Sequence, residues 1–176
     1  MTLRAPRPDL TSIVTGASSG IGAEIARELA RRGHGVTLVA RRQGPLDELA
    51  AELGDRHGVR AEVVTADLTD IDARTAIATT LDERGLRGQV LVNNAGLSPL
   101  YGKLSEVTEE LFDKIVALNL KGPYRLSSLI GERMAEGEGG SIINISSTAA
   151  ANPAPKAEPY GAAKAGLNNL TRSFAF

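Results

Sequence analysis

The chain is expected to form an α/β fold: a doubly wound parallel sheet with helices on both faces, in a three-layer αβα arrangement. Three observations on its 176 residues predict this. Short β-branched runs alternate with stretches of helical period, which is the pattern of βαβ units. The apolar runs are continuous, as strands buried on both faces require. A glycine-rich turn joins the first strand to the first helix. The expected strand order is 3-2-1-4-5 in a single domain over residues 1–176, with residues 1–9 as a mobile leader.

The elements follow in order. Leu10 to Thr15 (LTSIVT) is the first strand, closed by Gly16. From Gly20, Ile21, Ile25 and Leu29 recur at one-turn spacing, and Arg31-Arg32-Gly33 supplies the cations and glycine that end a helix. Val36 to Ala40 (VTLVA) is the second strand, and a helix from Pro45 to Arg56 aligns Leu46, Leu49 and Leu53. Val59 to Thr65 is the third strand, Asp70 to Leu81 the third helix, and Gln89 to Val92 the fourth strand. A punctuated loop, Asn93 to Ser105, precedes a long helical region from Glu109 to Ala135. Gly122-Pro123 interrupts that region, because proline removes a helical donor and bends the segment. Ser141 to Ser146 is the fifth strand, and a proline-rich loop leads to a last helix from Tyr160. The chain stops at Phe176 inside an amphipathic pattern (Leu167, Leu170, Phe174), so a C-terminal truncation is expected.

Composition narrows the chemistry. The formal net charge of -1 gives no field directed at nucleic acid or an anionic membrane. The chain has no cysteine, so a thiolate nucleophile and cysteine-ligated zinc are excluded. Its two histidines, His34 and His57, are too few for a histidine-rich metal site, and no metal is expected. The basic, proline-broken N-terminus lacks the apolar run of a signal peptide, and no stretch reaches the length of a membrane span; a cytoplasmic protein is expected.

Thr15-Gly16-Ala17-Ser18-Ser19-Gly20-Ile21-Gly22 lies where the first strand hands over to the first helix. Glycines there permit turn angles that other residues resist, let a pyrophosphate approach the backbone, and let helix pack closely on strand. The helix N-terminus then offers unpaired N–H groups to phosphates. A Rossmann-like dinucleotide site is the reading, against that of an ordinary glycine-rich βα turn. The second strand ends in Ala40-Arg41-Arg42, without the acid that would hold an adenosine ribose. A guanidinium can instead pair with a 2′-phosphate, so NADP(H) is expected over NAD(H); the alternative is that both arginines are merely solvated.

Tyr160 and Lys164 are four residues apart in an alanine-rich helical run, which puts phenol and ammonium on one face. A free tyrosine titrates near pH ~10, and a neighbouring cation draws it toward the range where a general acid or base works. Tyr101 and Tyr124 have no such context and read as packing residues.

Taken in order, these stretches resemble the short-chain dehydrogenase/reductase family, in its compact single-domain ketoreductase and alcohol dehydrogenase branch. Thr15 to Gly22 resembles the family's cofactor turn, with Gly16, Ser18, Ser19, Gly20, Ile21 and Gly22 as cofactor residues. Asp67-Leu68 resembles the pair that holds the adenine, and Asn93-Asn94-Ala95-Gly96 matches the NNAG signature. Asn119, Ser147, Tyr160 and Lys164 fall where the family keeps its catalytic tetrad. Of the adjacent Ser146 and Ser147, only one can face the site from a strand. The family's spacing of thirteen residues before the tyrosine selects Ser147.

The resemblance implies hydride transfer between a nicotinamide and a ketone or secondary alcohol. Tyr160 would be the general acid or base, Lys164 would hold the nicotinamide ribose, and Ser147 would bond the substrate oxygen. Asn119, on its broken helix, would hold a water through its backbone carbonyl. It also implies a small-molecule substrate, pairing as dimers or tetramers through the helices of Asn119 and Tyr160, and missing C-terminal segments that close over the substrate. The competing readings are a non-catalytic dinucleotide-binding module and a dehydratase or epimerase on the same fold.

Overall fold

The computed structural model describes residues 5–175. Five parallel strands form one sheet in the order β3-β2-β1-β4-β5, as the alternation of elements predicts. They are β1 (Leu10–Thr15), β2 (Val36–Ala40), β3 (Ala61–Thr65), β4 (Arg87–Asn93) and β5 (Ser141–Asn144). The helices are α1 (Gly20–Arg31), α2 (Gln43–His57), α3 (Ile71–Glu83), α4 (Glu109–Val116), α5 (Gly122–Glu136) and α6 (Glu158–Ser173).

Strand alternation builds the three layers. In β1, Ile13 packs on one face of the sheet with Val39 and Leu91, against Ile77 and Leu81 of α3 and Leu126 and Ile130 of α5. Its neighbour Val14 packs on the other face with Leu38, Val90 and Val92, against Ala26 of α1 and Leu46, Leu49 and Leu53 of α2. Each fully buried leucine of this kind contributes about 1.5–3 kcal/mol. Both faces are therefore apolar, which explains the unbroken hydrophobic runs in the sequence. Val14 pairs with Leu38 on one side and Val92 on the other. The chain runs outward through β2 and β3 and then returns to β4 on the far side of β1. That reversal opens a crevice at the carboxyl ends of β1 and β4.

Several boundaries differ from the sequence expectation, each for a local reason. Helix α2 starts at Gln43, because proline is tolerated in a first turn where its missing N–H has no partner to lose. It ends on Gly58 in the left-handed region (φ 63°), so β3 begins at Ala61 and not at Val59. The break in the long helical region is a widened π turn, Ala117–Lys121, before the proline. Gly122 N–H reaches back to the Ala117 carbonyl, and Pro123 sits in the first turn of α5, unable to donate to the Asn119 carbonyl. β5 ends at Asn144, two residues earlier than expected, and α6 begins at Glu158.

Of the expected leader, residues 1–4 lie outside the described residues. Arg7 pairs with Glu138 at 3.0 Å, and Asp9 pairs with Arg87 of β4. Among the described residues no helix is long and apolar enough to cross a membrane.

His34, after α1, is 4% exposed and its Nδ1 lies 2.8 Å from Gln89 Nε2 in β4. The amide donates, so the imidazole is neutral with its proton on Nε2. Burial, and then Arg32, push its pKa below the ordinary 6.5. The unfolded chain thus takes up this proton first as the pH falls. Stability is full above about pH 6.5 and declines below it. Urea midpoints at about pH 7.5 and about pH 5.5 should differ, with a smaller difference in His34→Gln. An equal drop in the variant contradicts this assignment.

Candidate active site

The crevice at the strand ends is a cleft of about 500 Å³, and most of the predicted cofactor residues line it. Gly16, Ser18 and Ser19 contribute from the first turn, and Arg41 and Arg42 from the end of β2. Asp67 and Leu68 follow β3, and Asn94, Ala95 and Gly96 follow β4. Thr69, Leu97, Lys114 and Leu118 also line it, and the motifs did not point to them.

The turn after β1 and the turn after β4 interlock. Thr15 Oγ1 accepts the N–H groups of Asn94 (2.9 Å) and Ala95 (3.0 Å) and donates to the Val92 carbonyl at 3.2 Å. Asn94 Nδ2 returns a bond to the Thr15 carbonyl at 2.9 Å. Gly16 and Gly22 make this approach possible. A Cβ on Gly22 would lie 2.5 Å from Asn94 Nδ2 and from the Gly16 carbonyl oxygen, and one on Gly16 would lie 2.8 Å from Asn94 Nδ2. Gly16 also holds φ 68°, which favours glycine. Gly20, Ile21, Gly22, Tyr160 and Lys164 stand outside the lining of the cleft, and Ile21 is 63% exposed on the first turn of α1.

Helix α1 points its N-terminus at this turn with no side-chain cap from Ser19 and no acid in its first turn. α3 and α4, by contrast, are capped by Asp70 and Thr108. The first N–H groups of α1 are thus left for an anion. Arg42 Nη2 reaches Ser18 Oγ at 3.4 Å, joining the end of β2 to the same turn.

The Asp67–Thr69 turn is held from both sides. Asp67 accepts from the Thr69 backbone at 2.9 Å and from its hydroxyl at 2.8 Å. The Thr69 amide first, and then Arg41 and Lys114, hold the Asp67 carboxyl below its usual range. Behind the turn, buried Arg74 of α3 donates to the carbonyls of Leu68 and Thr69, both at 2.7 Å. Nothing in the letters marks Arg74, since its partners are backbone atoms.

Two of the four predicted catalytic residues, Asn119 and Lys164, stand beside Gly96 at the edge of the cleft. A Cβ on Gly96 would lie 2.9 Å from Asn119 Oδ1 and 3.9 Å from Lys164 Nζ. Asn119, fully buried in the π turn, clasps Leu97: its Nδ2 donates to the Leu97 carbonyl at 2.9 Å, and its Oδ1 accepts the Leu97 N–H at 3.2 Å. Lys164, 3% exposed, donates to the Ile145 carbonyl at 2.7 Å, and its Nζ lies 5.8 Å from the Tyr160 ring centroid. Burial lowers the pKa of this ammonium. One turn earlier, Gly161 meets the 3₁₀ segment Thr148–Ala150, where an added Cβ would stand 2.9 Å from the Ala149 carbonyl oxygen. Ser147 caps that segment, accepting the Ala149 N–H at 3.2 Å and keeping its own proton to donate. Ser146 Oγ is buried without a partner.

This constellation can do two things chemically. It can attract an anion into the cleft, with the uncapped start of α1 and two guanidinium groups, and it can stabilise negative charge at the Tyr160 ring with a buried ammonium.

Comparison with known proteins agrees with the geometry. The family model for short chain dehydrogenase matches residues 11–176. The chain is 34% identical over 176 residues to Dehydrogenase/reductase SDR family member 4 of Homo sapiens, covering 99% of this chain and 63% of that protein. A metagenomic short-chain oxidoreductase (SDR) solved in complex with NADP has a TM-score of 0.89 at 41% identity, covering 94% of this chain and 74% of that one. The bulky-bulky ketone specific alcohol dehydrogenase from Comamonas testosteroni, in its orthorhombic crystal, has a TM-score of 0.85 at 36% identity, covering 93% and 65%. On a family match that starts in β1 and runs through every element to the last residue, the chain belongs to the short-chain dehydrogenase family.

Proposed function

We propose that the protein is an NADP(H)-dependent oxidoreductase moving a hydride between the nicotinamide and a ketone or secondary alcohol, with Tyr160 as general acid or base. The observation that carries this is the buried Lys164 ammonium beside the Tyr160 ring, fixed to the end of β5 next to Ser147, at one end of a cleft that fits a dinucleotide. The uncapped N-terminus of α1 and the close glycine turn fit the pyrophosphate, and Asp67-Leu68 fits the adenine side. Arg41 and Arg42, with no acid at the end of β2, fit a 2′-phosphate, and the metagenomic relative binds NADP. The whole of residues 1–176 would act as one dinucleotide-binding domain.

The bound cofactor would supply a hydride at the nicotinamide C4. In the reductive direction the Ser147 hydroxyl holds the carbonyl oxygen and Tyr160 gives it a proton as negative charge develops there. Lys164 stabilises the phenolate that remains, and its two unused N–H donors can serve the nicotinamide ribose. Asn119 keeps Leu97, and with it the segment after β4, in place at the mouth of the site. Pairing with a second copy is part of this proposal, supported by Phe112, Tyr124 and Phe174, which α4, α5 and the end of α6 leave exposed.

Tyr160→Phe should lower the ketone-dependent oxidation of NADPH at least about a hundredfold while NADPH affinity stays within about twofold. Wild-type turnover in that variant would sink the assignment. Arg41→Ala should weaken NADPH binding about tenfold or more and NADH binding less than about twofold; equal weakening of both rules out the 2′-phosphate contact. Arg74→Met should weaken binding of the adenosine bisphosphate half of NADPH about tenfold by calorimetry, and should leave kcat at saturating cofactor nearly unchanged. Undiminished affinity would show that the Asp67–Thr69 turn holds its shape without Arg74.

A further inference from the structure

Helix α6 carries Tyr160 and Lys164 but begins without a cap of its own. Its N-cap residue is Ala157, whose side chain can accept nothing, and Pro159 in the first turn has no N–H. Ala157 N–H turns back to the Ala154 carbonyl at 3.0 Å. The N–H of Glu158 is satisfied from 57 positions upstream, by the hydroxyl of Tyr101, at 2.9 Å. That hydroxyl in turn donates its proton to the Glu158 carboxylate. The carboxylate also accepts the Lys156 N–H at 3.3 Å. Lys156 is the non-glycine residue at positive φ (66°), so the chain is bent there just before the helix.

Tyr101 belongs to the irregular segment between β4 and α4, and other contacts hold that segment on either side of it. Asn119 clasps Leu97, while Gly102 N–H (3.2 Å) and Lys103 N–H (3.1 Å) converge on Glu106 Oε2. The Tyr101–Glu158 hydrogen bonds join the segment to α6. Both ends of it are polar groups at a half-open surface. The hydroxyl is used twice, once as acceptor and once as donor, which a packing residue does not require. Burial, and then Glu158, push the Tyr101 phenol above its ordinary 10.0, so the donor persists at neutral pH.

We infer that Tyr101 is a positioning residue: its hydroxyl caps the catalytic helix from outside and fixes the segment after β4 against the turn that presents Tyr160, thereby setting the width of the carbonyl-substrate entrance. The role as an entrance rests on the reductase reading above, whereas the capping role does not. Sequence reasoning assigned Tyr101 to packing, because its partner lies far away in the chain and is partly backbone.

The test uses full-length protein and four variants: Tyr101→Phe, Glu158→Ala, their double variant, and Glu158→Gln. Amide exchange is read at Glu158, Tyr160 and Gly161, and NADPH-dependent reduction of trifluoroacetophenone is read as KM and kcat. Tyr101→Phe should speed exchange of the Glu158 amide about fivefold or more and raise KM about threefold to tenfold. NADPH affinity and kcat should move less than about twofold. Glu158→Gln keeps an acceptor oxygen and the amide, and should stay within about twofold of wild type. The effects of Tyr101→Phe and Glu158→Ala should fall short of multiplying by about threefold in the double variant. Unchanged exchange in Tyr101→Phe, or effects that multiply fully, would overturn the inference. If the full-length protein reduces no ketone, the entrance role falls with the reductase reading, and the exchange data still decide the cap.

Discussion

A single buried ammonium ties helix α6 to the end of the sheet. Lys164 is removed from water and donates to the carbonyl of Ile145. Burying a cation costs free energy unless hydrogen bonds compensate, and burial accordingly lowers its pKa. That cost makes the contact specific. If α6 slid by one residue, the charge would lose its acceptor. The other N–H groups of the ammonium are buried donors, and a buried donor calls for a partner.

The same logic operates at the other end of the cleft. The Thr15 hydroxyl gathers two backbone N–H groups of the β4 turn, while Gly16 and Gly22 leave room for the Asn94 amide. Backbone is thus packed on backbone, and the floor of the cleft is set by hydrogen bonds on rigid strand ends. Buried Arg74 extends this to the Asp67–Thr69 turn by holding carbonyl oxygens from behind. The shape of the cleft is therefore set by hydrogen bonds within the fold, and a preset site lowers the ordering cost of binding.

Much of this could be read from the sequence where the signal is local. The strands β1 and β2 were legible to the residue, because they are short apolar runs flanked by glycine. Tyr160 and Lys164 stood out through their helical spacing, whereas Ser147 was chosen over Ser146 by the family's spacing to the tyrosine, and the strand itself ends earlier, at Asn144. The break near Asn119 was legible as a break, but its form was not. A π turn depends on which carbonyls Pro123 leaves unclaimed, and that is decided by a whole turn of helix. Thr15, Arg74 and Tyr101 were missed as structural agents for a common reason. Their partners are wholly main-chain groups for Thr15 and Arg74 and partly so for Tyr101, and only the fold brings those groups near.

The central claim is that a hydride passes between nicotinamide and carbonyl while Tyr160 handles the proton. The most direct measurement is single-turnover ketone reduction by the full-length protein with NADPH deuterated at one face or the other of C4. The account predicts severalfold slower NADPH oxidation with the label on one face and an unchanged rate with the label on the other. Equal rates for both labelled forms, or no ketone-dependent oxidation of NADPH at all, would contradict it.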